Sequence, residues 1–285
     1  MTEVKRFPGQ PVLILGLSRC GTSYLASFLR ANGVDLGANL GQSGYVNPRG
    51  FFEERTFVNF HRRLLAKNDP RGADIPILAG SIAQRLSDAE EAEGAQILKS
   101  LARPGVWGWK DPRTLLFIDF WLRLLPDAKL IIPIRHPLEN YCSYLKRIRE
   151  AAVLKPSVFF SAYARQSERL LEVAKRCAPH VYVLDAPAAY RQPELLRKEL
   201  TAFLGLDDRV PPSCPAFHEK EFTRIPLSKR ACDVFMKNFP EACTAFLELN
   251  EMATIRFQPV DGSSRLDPMW SALGAAFSMF GHASR

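Results

Sequence analysis

Four short apolar runs, at residues 12–15, 106–109, 130–134 and 181–184, constrain this chain more than any other feature. Each is bounded by proline, glycine or charge, and each is followed by a stretch with helical spacing. Nearly continuous apolar strands that alternate with helices require a parallel sheet covered on both faces. The expected fold class is therefore α/β, with a parallel sheet of about four to five strands flanked by helices. Helices are expected after the strands at 22–31, 115–125, 137–149 and 193–204. Others are expected at 56–67, 81–102, 157–177 and, interrupted by Pro240, 228–252. Asp88 with Glu91 three residues on reads as a capping box within 81–102. In such folds ligands gather outside the carboxyl ends of the strands, so the chemistry is sought there.

Composition excludes several alternatives. A chain of 285 residues with 47% hydrophobic and 24% charged residues buries a core of its own and is not a disordered segment. None of its six cysteines forms a C-x-x-C pair, which speaks against a disulfide framework or a zinc site and for reduced thiols in a cytoplasm. No apolar run approaches the roughly 20 residues of a membrane-spanning helix. The opening MTEVKRFPGQ carries no apolar stretch after its basic residues, so no secretory signal is expected. The formal charge of +8 favours an acidic ligand. The basic residues are dispersed, however, and the run Lys146-Arg147-Ile148-Arg149 reads as the solvated end of a helix. Without an interleaved basic-aromatic run, nucleic acid is not expected as a partner. The tail 267–285 places Met269, Trp270, Leu273, Phe277 and Phe280 on one helical face. That face is expected to pack on the domain itself or on a second subunit, as in a homodimer, rather than on a membrane.

The first strand runs straight into GLSRCGTS, Gly16 to Ser23, and then into a helix. A glycine turn between strand and helix exposes backbone N–H groups, and the helix N-terminus adds partial positive charge, so an anion fits there. Gly16 and Gly21 have the spacing of the nucleotide-binding G-x-x-x-x-G-K-[ST] loop, but Thr22 stands where that loop has its lysine. A cation appears instead inside the loop, at Arg19. An ATP or GTP user without the lysine lacks the charge that holds the terminal phosphates.

The run Ser18-Arg19-Cys20-Gly21-Thr22-Ser23 resembles the 5′-phosphosulfate loop of sulfotransferases that use 3′-phosphoadenosine 5′-phosphosulfate, PAPS. The likeness is closer to the bacterial and carbohydrate-type branch than to the cytosolic small-phenol branch. Two further segments carry it. IIPIRHPLENYCSYLKR has Arg135 after a strand and Ser143 eight positions on, the separation of the family's 3′-phosphate ligands. Trp109-Lys110-Asp111-Pro112-Arg113 is similar to a Lys-Asp-Pro-Arg that the branch places beside the transferring group. The resemblance spans 12–206 in pieces and implies a single domain over 1–285 with a P-loop-like fold, 207–285 being a helical C-terminal extension. No basic glycine-containing segment near the C-terminus matches the clamp of the cytosolic branch, so the adenine contacts are not assigned.

The resemblance implies sulfuryl transfer from PAPS to a hydroxyl or amine acceptor, with 3′,5′-adenosine bisphosphate as product. The acceptor it suggests is a carbohydrate, a lipid-linked hydroxyl or a small alcohol. Such an enzyme must deprotonate the acceptor, align both ends and stabilise charge on the leaving oxygen. Ser18, Arg19, Cys20, Gly21, Thr22, Ser23, Arg135 and Ser143 are the expected cofactor-binding residues, and Arg19 and Lys110 the expected catalytic cations. Arg113 is expected to assist them or to bind acceptor. No metal is expected, because the sulfuryl group carries a single charge and the histidines show no ligand spacing. The branch tends to place its base on a Glu in the region of Phe51-Phe52-Glu53-Glu54, making Glu53 the first choice, with Glu54, His61 and Asp111 as alternatives. The competing view of both glutamates is that they cap the helix near 56. Cys20 stands at a helix N-terminus, where a thiol pKa can be lowered, but is expected to be a small packing residue. Rival readings are a P-loop nucleotide kinase and a catalytically silent nucleotide-binding module.

Overall fold

The structure, a computed structural model, describes residues 7–41, 50–67, 69–79, 86–147, 155–207 and 227–259. The expected tail helix and the start of the expected helix 81–102 lie outside these residues. Four strands form one parallel sheet: β1 (Gln10–Ile14), β2 (Val106–Lys110), β3 (Lys129–Ile134) and β4 (Val181–Asp185), in the order β2-β1-β3-β4. After β1 come α1 (Thr22–Ala31), α2 (Arg55–Ala66), α3 (Pro70–Asp74) and α4 (Asp88–Leu101). Between β2 and β3 lies α5 (Ile118–Leu124), and between β3 and β4 lie α6 (Pro137–Arg147) and α7 (Pro156–Arg176). The helices α8 (Ala186–Tyr190), α9 (Pro193–Leu204), α10 (Lys229–Asn238) and α11 (Pro240–Met252) follow β4.

Side-chain alternation along β1 explains the two layers. Val12 and Ile14 pack with Leu25, Phe28 and Leu29 of α1 and Leu196 and Leu200 of α9. Leu13 and Leu15 face the larger core built on Phe57, Phe60, Trp107, Trp109 and Trp121. Both faces being covered is what the unbroken apolar runs require. The chain leaves β1 for β2 on one side and places β3 on the other, so a switch point forms at the carboxyl end of β1.

Two local expectations are corrected. The capping box lies one residue earlier than Asp88 and Glu91: Glu90 N donates to Ser87 Oγ at 3.4 Å, and Ser87 N to Glu90 Oε2 at 2.7 Å. The extended Ser87 hydroxyl reaches the amide, and Asp88 and Glu91 complement the helix dipole in the first turn instead. The helix expected at 115–125 is a 3-10 turn, Pro112–Phe117, followed by α5. Asp111 starts that turn by accepting from Arg113 N at 3.1 Å.

Strand β4 ends on Asp185. Its Oδ1 accepts from Ala188 N at 2.9 Å, capping α8, while its buried Oδ2 meets no partner among the described residues. Burial pushes this carboxyl up to about 7; Glu139 adds to the rise, and the Ala188 amide, Arg135 and Arg191 oppose it. The folded protein therefore holds a proton on Asp185 between about pH 4, the ordinary carboxylate value, and about pH 7. Its contribution to stability is most favourable below that window and is lost as pH rises through it. Asp185→Asn keeps an N-cap acceptor and removes the charge. Relative to the unsubstituted protein, its Tm should rise by several degrees at pH 8 and by less at pH 5. An unchanged or lower Tm at pH 8 would mean that Arg135 compensates the carboxylate fully.

Candidate active site

The loop after β1 is built from close approaches and positive dihedrals. A side chain at Gly16 would meet Thr22 Cγ2 at 2.6 Å and Pro133 Cγ at 2.9 Å. Gly21, with φ +86°, is the N-cap of α1, so no side chain caps that helix, and its first turn holds no acidic residue. The first-turn amides are left for an anion. Arg19 (φ 68°) and Phe52 (φ 52°) are the two non-glycine residues with positive φ among those described. Such conformations persist where the surroundings impose them, and they cluster at working sites.

Side chains from three other elements impose the loop's shape. Asn140 Nδ2 donates to Ser18 O (3.1 Å), Arg135 Nη1 to Arg19 O (3.2 Å) and Tyr190 Oη to Gly21 O (2.8 Å). They engage the carbonyl oxygens, the groups that would repel an anion. Asn140 Nδ2 also lies 2.9 Å from Cys20 Sγ. Burial pushes the Cys20 thiol up to about 12, with Arg135 and Asn140 only partly opposing it. A lowered pKa is thus not found here, because desolvation outweighs the helix N-terminus, and Cys20 packs.

A cleft of about 580 Å³ opens at the carboxyl ends of β1 and β2. Ser18, Arg19, Thr22 and Ser23 form its loop side, and Lys110, Pro112 and Arg113 line it from the end of β2. Glu53 with Phe51, the 74–76 segment and Tyr144 complete it. Lys110 is only 2% exposed; its Nζ lies 2.6 Å from Glu53 Oε1 and 3.4 Å from Ser23 Oγ. It therefore joins the loop to the carboxylate and does not pair with Asp111.

The four carboxyl and imidazole groups considered as a base sit in different surroundings. Glu54 is buried and caps α2: Thr56 N and Oγ1 donate to its Oε1 at 3.2 and 2.9 Å, and Asn39 N to its Oε2 at 2.9 Å. His61 is fully buried, with Nδ1 2.8 Å from Asp111 Oδ2, and its Nε2 accepts from Trp121 Nε1 at 2.9 Å. Accepting at Nε2 makes it a neutral ring with the proton on Nδ1, so neither nitrogen is left for an acceptor. Burial acts to raise the pKa of Asp111, but the Arg113 charge and the His61 hydrogen bond outweigh it and hold the carboxyl well below its usual range. Of the four, Glu53 alone lines the cleft.

Arg135 and Ser143 are placed differently from the catalytic candidates. Both are buried and neither lines the cleft. They lie behind the loop, where Arg19 Nε donates to Ser143 Oγ at 3.4 Å and Arg135 Nε is 3.5 Å from Glu139 Oε2. Sequence reasoning missed the loop contact of Asn140. Its position three residues before Ser143, on the same face of α6, was the available signal.

The model of a family described as the sulfotransferase family matches residues 11–212. Among solved structures, a sulfotransferase from Alicyclobacillus acidocaldarius is similar, with 17% identity and a TM-score of 0.52 over 89% of this chain and 98% of that one. A sulfotransferase from Mycobacterium avium has 13% identity and a TM-score of 0.49 over 88% of this chain and 79% of that one. At such identities the first likeness concerns the fold, which is the parallel sheet flanked by helices described above. A comparison with curated proteins finds no match.

Proposed function

The chain belongs to the sulfotransferase family, and we propose that it moves a sulfuryl group from PAPS to a hydroxyl or amine acceptor. The observation that carries this reading is the convergence of Arg19, Lys110 and Glu53 on one cleft beside the uncapped N-terminus of α1. An anionic phosphosulfate fits that end: Thr22 and Ser23 offer hydroxyls, Arg19 and Lys110 offer charge, and the first-turn amides offer donors. When bound, PAPS supplies the activated sulfuryl group and leaves as 3′,5′-adenosine bisphosphate.

Ser18 to Ser23 hold the 5′ end, and Arg135 and Ser143 take the 3′-phosphate from behind the loop. Lys110 and Glu53 neutralise each other at 2.6 Å. As negative charge arrives at the loop, Lys110 turns towards Ser23, and Glu53 becomes available to take the acceptor's proton. Phe51 limits the access of water to that carboxylate. Among the described residues no helix is long and apolar enough to cross a membrane. The reading places the reaction in the cytoplasm, in keeping with the cysteine usage.

Titration calorimetry tests the donor. The protein should bind 3′,5′-adenosine bisphosphate without Mg²⁺ and at least about tenfold more tightly than ATP. Tighter, Mg²⁺-dependent ATP binding would favour a nucleotide kinase, and bisphosphate binding with no transfer to any acceptor would favour a silent module. Arg135→Lys keeps a charge beside Glu139 and Asp185 but loses the planar fork. Its bisphosphate affinity should fall by about tenfold or more, and an unchanged affinity would remove Arg135 from the phosphate site.

A further inference from the structure

We propose that Arg113 orients the acceptor by donating hydrogen bonds to an oxygen of it, so that the acceptor carries a carbonyl or carboxylate oxygen beyond the group that is sulfated. The proposal rests on the sulfotransferase reading above. Arg113 lines the same cleft as Glu53 and Lys110. Its Nε donates to Ala73 O and its Nη1 to Asp111 Oδ1, both at 2.9 Å. A guanidinium has five N–H donors, so these bonds leave others with no acceptor among the described residues. The other charged groups of this wall are engaged: Glu53 with Lys110, and Asp74 with Arg62 at 2.5 Å. Around them Phe51, Ile75, Pro76 and Pro112 are apolar. An acceptor lying on that wall meets hydrocarbon surfaces and one set of donors without partners.

The guanidinium is also buried and tied to the core by hydrogen bonds. Trp121 Nε1 donates to His61 Nε2, His61 Nδ1 to Asp111 Oδ2, and Asp111 Oδ1 accepts from Arg113, so a chain of hydrogen bonds runs from the aromatic core to the cleft. Trp121 is itself fixed edge-on against Trp109 and Phe57. A buried charge pair of this kind adds little stability over apolar packing of similar volume. What the chain does provide is a single orientation for the last side chain in it, and a recognition group needs that. His61 and Asp111 are thus positioning residues that act through Arg113.

The test uses the full chain saturated with 3′,5′-adenosine bisphosphate and three probes of like shape: 4-(hydroxymethyl)benzoate, 4-(hydroxymethyl)benzamide and 4-methylbenzyl alcohol. Calorimetry should show the oxygen-bearing probes binding about tenfold more tightly than the methyl probe. A preference for the carboxylate alone supports an anionic acceptor, and a preference for both supports an uncharged one. Arg113→Lys keeps a cation beside Asp111 but removes the fork, and the preference should shrink to about threefold or less. Trp121→Phe removes the N–H that fixes His61 along with part of the buried ring, so part of the preference should go with it even where the variant's Tm falls. Bisphosphate affinity should stay unchanged in both variants, whereas a general structural role would lower the binding of every ligand together. The absence of any preference, or its persistence in Arg113→Lys, overturns the proposal while leaving the family reading intact. Failure of the bisphosphate itself to bind overturns the donor assignment, and this proposal with it.

Discussion

Glu53→Gln should reduce turnover by about 10²–10⁴-fold, the range expected when a positioned general base is lost. The substitution keeps shape and hydrogen-bonding capacity and removes basicity. Of the four candidates Glu53 alone lines the cleft: Glu54 caps α2, and His61 and Asp111 are tied to each other inside the core. Bisphosphate affinity should not fall in the variant, because Lys110 then has no carboxylate competing for it at 2.6 Å. Steady-state kinetics with PAPS and any productive acceptor, together with calorimetry, measure both quantities. A variant that turns over normally would show that Glu53 only anchors Lys110. Glu54→Gln is the matched control: it should lower Tm through the loss of a cap and leave turnover per folded molecule unchanged.

The sheet and most helices were legible because their signals are local. Strands β1 to β4 are apolar on both faces, and α1 and α9 have the bounds expected from spacing alone. Local signals do not tell Glu53 from Glu54. The two diverge because the backbone at Phe52 is left-handed and because Asn39, fifteen residues away, donates to Glu54. Nor could spacing show that His61 and Asp111, fifty positions apart, share a proton bridge, since that contact depends on how α2 packs on the end of β2. His136 is a similar case: burial alone lowers its pKa to about 3, and it packs among Phe235, Phe246 and Phe257 rather than near the cleft. Arg135 stood out in the sequence as the residue that follows β3, but its burial and its grip on the Arg19 carbonyl belong to tertiary structure.

Lys110→Ala should cut turnover by about 10²–10³-fold, the loss typical of removing one preorganised charge or donor from a site of developing negative charge. Bisphosphate affinity should change much less. The two effects should separate: the lysine sits between Ser23 and Glu53 at the end of β2, and on the proposed reading charge would grow on the leaving oxygen beside it only as the bond to that oxygen breaks. On the proposed reading, Arg19, Ser23 and the first-turn amides of α1 would still hold the 5′-phosphate of the product. Removing Lys110 also leaves Glu53 without its cation, but that carboxylate is 15% exposed and water can solvate it, so the fold should survive. Turnover at saturating PAPS and calorimetry with the bisphosphate decide the matter. If both fall by the same factor, Lys110 is a ground-state anchor. If turnover falls alone, its charge acts on the transition state, and Lys110→Arg, which keeps the charge in a different shape, should recover part of the rate.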